Sequence, residues 1–237
     1  MQNKVRKALL LAGGLAPWAA LAVAAPAHSR VQTPPVVNTI PQPGVSEVVG
    51  YEALFVRSAY TDEGYVVVGF RPANRSIGND WLIVDVGATV FDILPRFELN
   101  RAAFSLETPD GKVVPLATVS EQRAAKLKET AKLPRDAVGY FPRRAYVTCD
   151  LGFFPPLDSL EWTFEAVELN PDRACIGRLY FRIPGGVALG EHWLAVRFPG
   201  SVVRVPFTIM TPAEERYLQE NFRAVQKQVQ EAFPPTR

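Results

Sequence analysis

The chain has 237 residues, 48% of them hydrophobic, with 26 Lys and Arg against 24 Asp and Glu. This is apolar material for one large domain or two small ones. Two cysteines without a C-x-x-C pair, and two histidines, leave redox and metal chemistry little to build on.

At the N-terminus, Lys4, Arg6 and Lys7 precede an uncharged, Ala/Leu/Val-rich run from Ala8 to Ala25 that closes on Ala25-Pro26-Ala27. A charged start, an apolar run and a small-residue cleavage site predict a cleavable secretory signal peptide over residues 1–27, with Val23 and Ala25 as a second cleavage register. An uncleaved anchor is the alternative. A spanning helix needs about 20 apolar residues, however, and Gly13, Gly14 and Pro17 interrupt this run. Cleavage takes the basic count from 26 to 23 against 24 acids, a formal charge of −1. The concentrated basic surface that nucleic acid demands is then missing. The expected product is exported, periplasmic or secreted, with no transmembrane segment after cleavage. In an oxidising compartment Cys149 and Cys175 are expected to pair as a disulfide.

Residues 28–46 carry prolines at 34, 35, 41 and 43 and read as an extended linker. From Val48 to Ile209 the apolar period becomes two. Leu82, Val84, Val86, Ala88 and Val90 alternate with Ile83, Asp85, Gly87 and Thr89. Leu160, Trp162, Phe164 and Ala166 form a second row, Leu179, Phe181 and Ile183 a third, and Val203, Val205, Phe207 and Ile209 a fourth. Such alternation predicts strands with one face in a core and the other in water. Thr61 to Gly64, Pro109 to Lys112 and Pro199-Gly200 supply turns between strands. Nine or ten short strands at this spacing predict an all-β, antiparallel, immunoglobulin-like β-sandwich over residues 47–210. Two capping boxes add helices. Thr118-Val119-Ser120-Glu121 opens a short inserted helix to about Lys132, and Thr211-Pro212-Ala213-Glu214 opens a C-terminal helix within residues 211–237. Leu218, Phe222, Val225 and Val229 share one stripe of that last helix. The stripe either packs on its own domain or serves docking and self-association.

Three stretches, WLIVDVGATV (Trp81 to Val90), FSLETPDGKVVPL (Phe104 to Leu116) and GRLYFRIPGG (Gly177 to Gly186), together resemble the telokin-like immunoglobulin-like domains of unknown function in exported bacterial proteins. The likeness spans about Tyr65 to Phe207, and the inserted helix departs from its simplest pattern. It implies a binding, assembly or stability module and carries no catalytic residue.

The residues themselves offer no catalytic grouping either. No G-x-S-x-G surrounds a serine, and His192 shares the parity of the core positions Leu194 and Val196. Glu161 and Glu165 on one strand would stand about 13 Å apart, too far for a glycosidase pair. No phosphate loop, metal-ligand spacing or cofactor motif is present. The sequon Asn74-Arg75-Ser76 reads as a chance match. One surface stands out from the register: if Pro199-Gly200 is a tight turn, Ala195 faces Arg204 and Trp193 faces Pro206, so that Trp193, Arg197 and Arg204 share an outer face. Were the strand Arg178 to Arg182 alongside, Arg178, Tyr180 and Arg182 would extend this patch. Arginine and large aromatics are the residues enriched in binding hot spots. The expected function is an exported, non-catalytic binding or assembly module for a protein partner or a cell-surface polymer. The alternative is an envelope carbohydrate-active hydrolase whose carboxylates are assembled by the fold.

Overall fold

The computed structural model of the protein describes residues 48–125, 127, 133–141, 147–156 and 162–232. The expected signal peptide (1–27) and linker (28–46) lie outside these. Among the described residues twelve strands form three sheets. The first, six-stranded sheet orders β1 (Val48–Ala53), β2 (Val56–Tyr60), β3 (Gly64–Gly69), β4 (Trp81–Val90), β10 (Arg173–Arg182) and β8 (Val147–Asp150). The second orders β12 (Val202–Ile209), β11 (Gly190–Arg197), β6 (Phe104–Glu107) and β7 (Val113–Pro115), and the third pairs β5 (Phe97–Asn100) with β9 (Ala166–Leu169). Three α-helices accompany them among the described residues, α1 (Arg71–Asn74), α2 (Val119–Ala124) and α3 (Pro212–Ala232), with one 3-10 turn at Arg101–Ala103.

The six-stranded and four-stranded sheets enclose one core, because the period-two rows of each point at the other. Val66, Val68, Leu82, Val84, Val86, Leu179 and Phe181 meet Phe104, Leu106, Leu194, Val196, Val203, Val205 and Phe207 in a single buried cluster. The turns close as their residues dictate. Thr61 N–H donates to the Gly64 carbonyl, Gly111 with φ +80° turns the β6–β7 hairpin, and Phe198 N–H donates to the Ser201 carbonyl. The last of these fixes the register of β11 and β12 at Trp193 opposite Pro206 and Ala195 opposite Arg204, as the sequence predicts. The two capping boxes also form, with Glu121 N–H donating to Thr118 Oγ1 and Glu214 N–H donating to Thr211 Oγ1. The α2 box opens a helix ending at Ala124, short of the expected Lys132; residues 126 and 128–132 lie outside the described set.

Three expectations are corrected. First, β4 is not half-solvated: Leu82 to Val90 are all buried. The outer face of the six-stranded sheet is covered by an extended segment, residues 133–141, here termed the strap. Val138 of the strap packs with Val56, Tyr65 and Val67, while Ala117 and Leu127 pack with Ile83 and Tyr180. At Gly87 even one added carbon would lie 2.5 Å from the Val138 carbonyl oxygen, so the absent side chain is what admits the strap. Second, Trp162 and Phe164 lie outside any strand and are exposed, whereas β9 buries Val167 and Leu169, the opposite parity. Phe164 instead folds over Gly152, donating its N–H to the Gly152 carbonyl at 2.9 Å; Leu160 lies outside the described residues. Third, pairing is not wholly antiparallel, since β8 runs parallel to β10. The disulfide joins these two strands, with Cys149 and Cys175 directly opposed in the ladder. No helix among the described residues is long and apolar enough to cross a membrane.

Candidate functional site

The structure divides the predicted patch between two sheets. Trp193 and Arg197 stand on β11 and Arg204 on β12, all on the outer face of the four-stranded sheet, as the register requires. Arg178, Tyr180 and Arg182 stand on β10, which pairs with β4 and β8 rather than with β11. They therefore do not extend the patch, and two of them are not surface residues at all. Arg178 is buried beneath the strap at 8% exposure, Tyr180 is buried at 5% against Ala117, Leu127 and Phe154, and Arg182 pairs at the surface with Glu121 at 3.6 Å. Burial pushes the Tyr180 phenol above its ordinary pKa, with the Arg178 charge opposing that rise.

What remains on the four-stranded sheet is a compact cluster. Trp193 sits between Pro206 on β12 and Glu107 on β6, its register partners on either side. The Arg204 guanidinium lies 4.8 Å from the centre of the Trp193 ring and is ion-paired with Glu107. Ala195 and Pro206 are buried on this face, Trp193, Arg204, Glu107 and Ser105 are half-buried, and Arg197, Val113 and Val202 are exposed. An indole whose N–H meets no acceptor among the described residues and an arginine already held in place make a face suited to binding at small entropic cost.

Arg178 serves a different purpose. Its Nε and Nη2 donate to the two Asp85 oxygens at 2.8 and 3.0 Å, a bidentate pair across the β4–β10 ladder. The outer side of the same Asp85 carboxylate accepts the strap's Asp136 N–H at 2.9 Å, and Arg178 Nη1 donates to the Leu133 carbonyl at 3.3 Å. The Asp136 carboxylate in turn accepts Arg71 N–H at 2.8 Å and pairs with Arg71 Nε at 3.1 Å. Burial raises the Asp136 carboxyl above the ordinary aspartate range; Arg71 opposes this and the Asp85 charge adds to it. Of this network the sequence reading marks only Arg178, and marks it for the outer patch. Asp85, a lone charge inside the apolar run WLIVDVGATV, is the signal that points to the rest.

The remaining predicted features are placed as follows. The α3 stripe faces its own domain: Leu218 packs on the main core, Phe222, Val225 and Val229 are half-buried, and Gln226 Nε2 donates to the Tyr51 carbonyl of β1 at 2.8 Å. His192 is fully buried, stacked on Phe207, with Nδ1 3.1 Å from the Gly190 carbonyl oxygen and Nε2 without a partner. Burial holds its pKa below the ordinary histidine value. Asn74 of the sequon is buried, its amide donating to Glu215 at 2.9 Å, which leaves no room for a glycan. Of the acids that the fold assembles, Asp85 and Asp136 meet beneath the strap, while Glu98 and Glu168 oppose each other on β5 and β9, where Glu168 also pairs with Arg96. No cluster of three or more His, Cys, Asp or Glu that could hold a metal ion occurs among the described residues. A cavity of about 290 Å³ opens between α1 and the strap, lined by Arg71, Pro72, Arg75, Leu133 and Pro134 and by no carboxylate among the described residues.

Comparison with known protein families, curated proteins and solved structures finds no match.

Proposed function

We propose that the mature chain is an exported, non-catalytic binding or assembly module that recognises a protein partner or a cell-surface polymer through the outer face of its four-stranded sheet. The observation that carries this reading is the Trp193–Arg204–Glu107 cluster. Of the outer faces of the two sheets that enclose the core, one is covered by the strap together with Ala117 and Leu127, and the other presents a half-exposed tryptophan stacked by an arginine. Such anchors commonly supply about 2 kcal/mol or more of binding free energy each. Export is supported by the signal-like residues 1–27 and by the Cys149–Cys175 disulfide, which persists in oxidising compartments. The immunoglobulin-like, telokin-like arrangement is supported by two hairpin-rich sheets around one core, with the parallel strand β8 as its departure from the simplest form. Self-association through α3 would require the Leu218 stripe to leave its present seat, which makes the sheet face the better surface for assembly.

The test is recovery of a partner from envelope extract by immobilised mature protein. Trp193→Ala and Arg204→Ala should each lower recovery by roughly tenfold or more, the equivalent of about 1.4 kcal/mol. Protease treatment of the extract distinguishes a protein from a polymer. Recovery unchanged in both variants would remove this face from consideration.

A further inference from the structure

A second surface has a distinct chemistry. Arg71 and Arg75 lie one helical turn apart, on α1 and its C-terminal cap, so both side chains leave the same side of the chain. Each is held from behind by a buried carboxylate. Asp136, its side chain 2% exposed, takes Nε of Arg71; Glu215, at 8%, accepts Arg75 Nη2 at 2.9 Å. Neither carboxylate is free to swing outward. Asp136 also accepts the Arg71 backbone N–H, and Glu215 also accepts the Asn74 and Gln219 amides at 2.9 and 3.3 Å. The Phe55 ring, 5.2 Å from the Arg71 guanidinium, further restricts that side chain.

A guanidinium carries five N–H donors in a fixed fork, and these ion pairs occupy only the inner ones. Arg71 Nη1 and Nη2, and Arg75 Nε and Nη1, meet no hydrogen-bond acceptor among the described residues. The two side chains are 47% and 53% exposed. Their open sides border the cavity of about 290 Å³, whose other walls among the described residues are Pro72, Leu133 and Pro134. Ordinary surface ion pairs leave arginines mobile; here the donors are fixed before any ligand arrives, so little ordering entropy is lost on binding.

We propose that this cleft binds an anionic group, a carboxylate or a phosphate, borne on a small apolar moiety. The anion takes the outward forks of Arg71 and Arg75, and the apolar moiety lies against Pro72, Leu133 and Pro134. Because Asp136 and Glu215 balance the two arginines, the attraction comes from aimed donors rather than net charge. Affinity for a minimal probe is therefore modest, with a dissociation constant of about 1 mM.

The experiment is an NMR titration of arginine Nε–H resonances in the mature protein at constant ionic strength, with sodium benzoate and inorganic phosphate as separate probes. Saturable shifts confined to Arg71 and Arg75 support the site. Saturation by benzoate alone identifies a carboxylate with an apolar neighbour, and saturation by phosphate, alone or with benzoate, identifies a phosphate-competent cleft. Arg75→Gln should weaken binding by roughly tenfold, the effect of losing one charge-assisted fork. Arg75→Lys, which keeps a cation against Glu215, serves should the first variant not fold; it should weaken binding severalfold, since an ammonium lacks the planar fork. No saturation by either probe, shifts shared with arginines such as Arg197 and Arg223, or affinity unchanged in a folded Arg75 variant would overturn the assignment.

Discussion

Replacing Arg178 by Met tests the most consequential buried contact. The Arg178 and Asp85 side chains are 5% and 2% exposed, so the substitution strands a carboxylate that keeps the Asp136 N–H as its remaining donor. Removing one partner of such a pair costs about 3–5 kcal/mol, a large share of the roughly 5–15 kcal/mol that holds a domain together. The loss should fall first on the strap. Ordering its backbone costs about 1–2 kcal/mol per residue, whereas burying a side chain such as Val138 returns only about 1.5–3 kcal/mol. Apolar burial alone therefore does not retain the strap, and the anchor at Asp85 adds to the one between Asp136 and Arg71. Urea denaturation at neutral pH gives the global change, and hydrogen exchange over residues 133–141 gives the local one. The double variant Arg178→Met, Asp85→Leu should recover at least about 1 kcal/mol of the loss, because neither member of the pair is left as an uncompensated buried charge, although the Asp136 N–H and the Leu133 and Pro134 carbonyls lose their partners. A loss below about 1 kcal/mol in the single variant, or strap exchange no faster than in the native protein, would refute the role assigned to this pair.

Two further perturbations bear on the same architecture. Gly87→Ala places a carbon 2.5 Å from the Val138 carbonyl oxygen and 2.9 Å from the Phe141 ring. It should cost about 1–3 kcal/mol and accelerate exchange in the strap while β4 stays protected; equal exchange in both segments would contradict this. His192 is kept neutral by burial, so its folded-state pKa lies below its unfolded value. Its stabilising share is present above the unfolded pKa of about 6.5 and is lost as pH falls from there toward the depressed folded value. Urea midpoints measured at several pH values should decline less steeply on acidification in His192→Phe than in the native protein, and identical slopes would show that another group titrates.

The legibility of the fold in the sequence follows from what each residue pattern encodes. Alternation at Val203 to Ile209, the turn Pro199-Gly200 and the boxes at Thr118 and Thr211 encode local geometry, and each is realised at those residues. Strand order is not local. Nothing in Arg178 to Arg182 states that β10 lies between β4 and β8 instead of beside β11, which is why the patch divides. Nor does alternation state what happens on the outer side of a sheet. Ile83, Val67 and Tyr180 are as compatible with solvent as with a strap, and the covering segment lacks a period of its own. The Trp162–Phe164 stretch has period two without being a strand, because Gly152 offers its ring a closer seat. Of the two candidate surfaces, the Trp193–Arg204 face was readable because it depends on one hairpin. The Arg71–Arg75 cleft depends on Asp136 and Glu215, which lie 65 and 140 residues away from the groups they hold.

The Cys149–Cys175 bond joins two residues directly opposed in a parallel ladder. In a strand the next residue along points to the other face, so a slip of β8 by one position would turn Cys149 away from its partner. Within the folded sheet the bond is therefore compatible with one alignment of β8 on β10 and with no neighbouring one. The edge strand is thereby pinned in register by a covalent tie, so reduction would free β8 to slip where the inner strands of the same sheet stay held by neighbours on both sides.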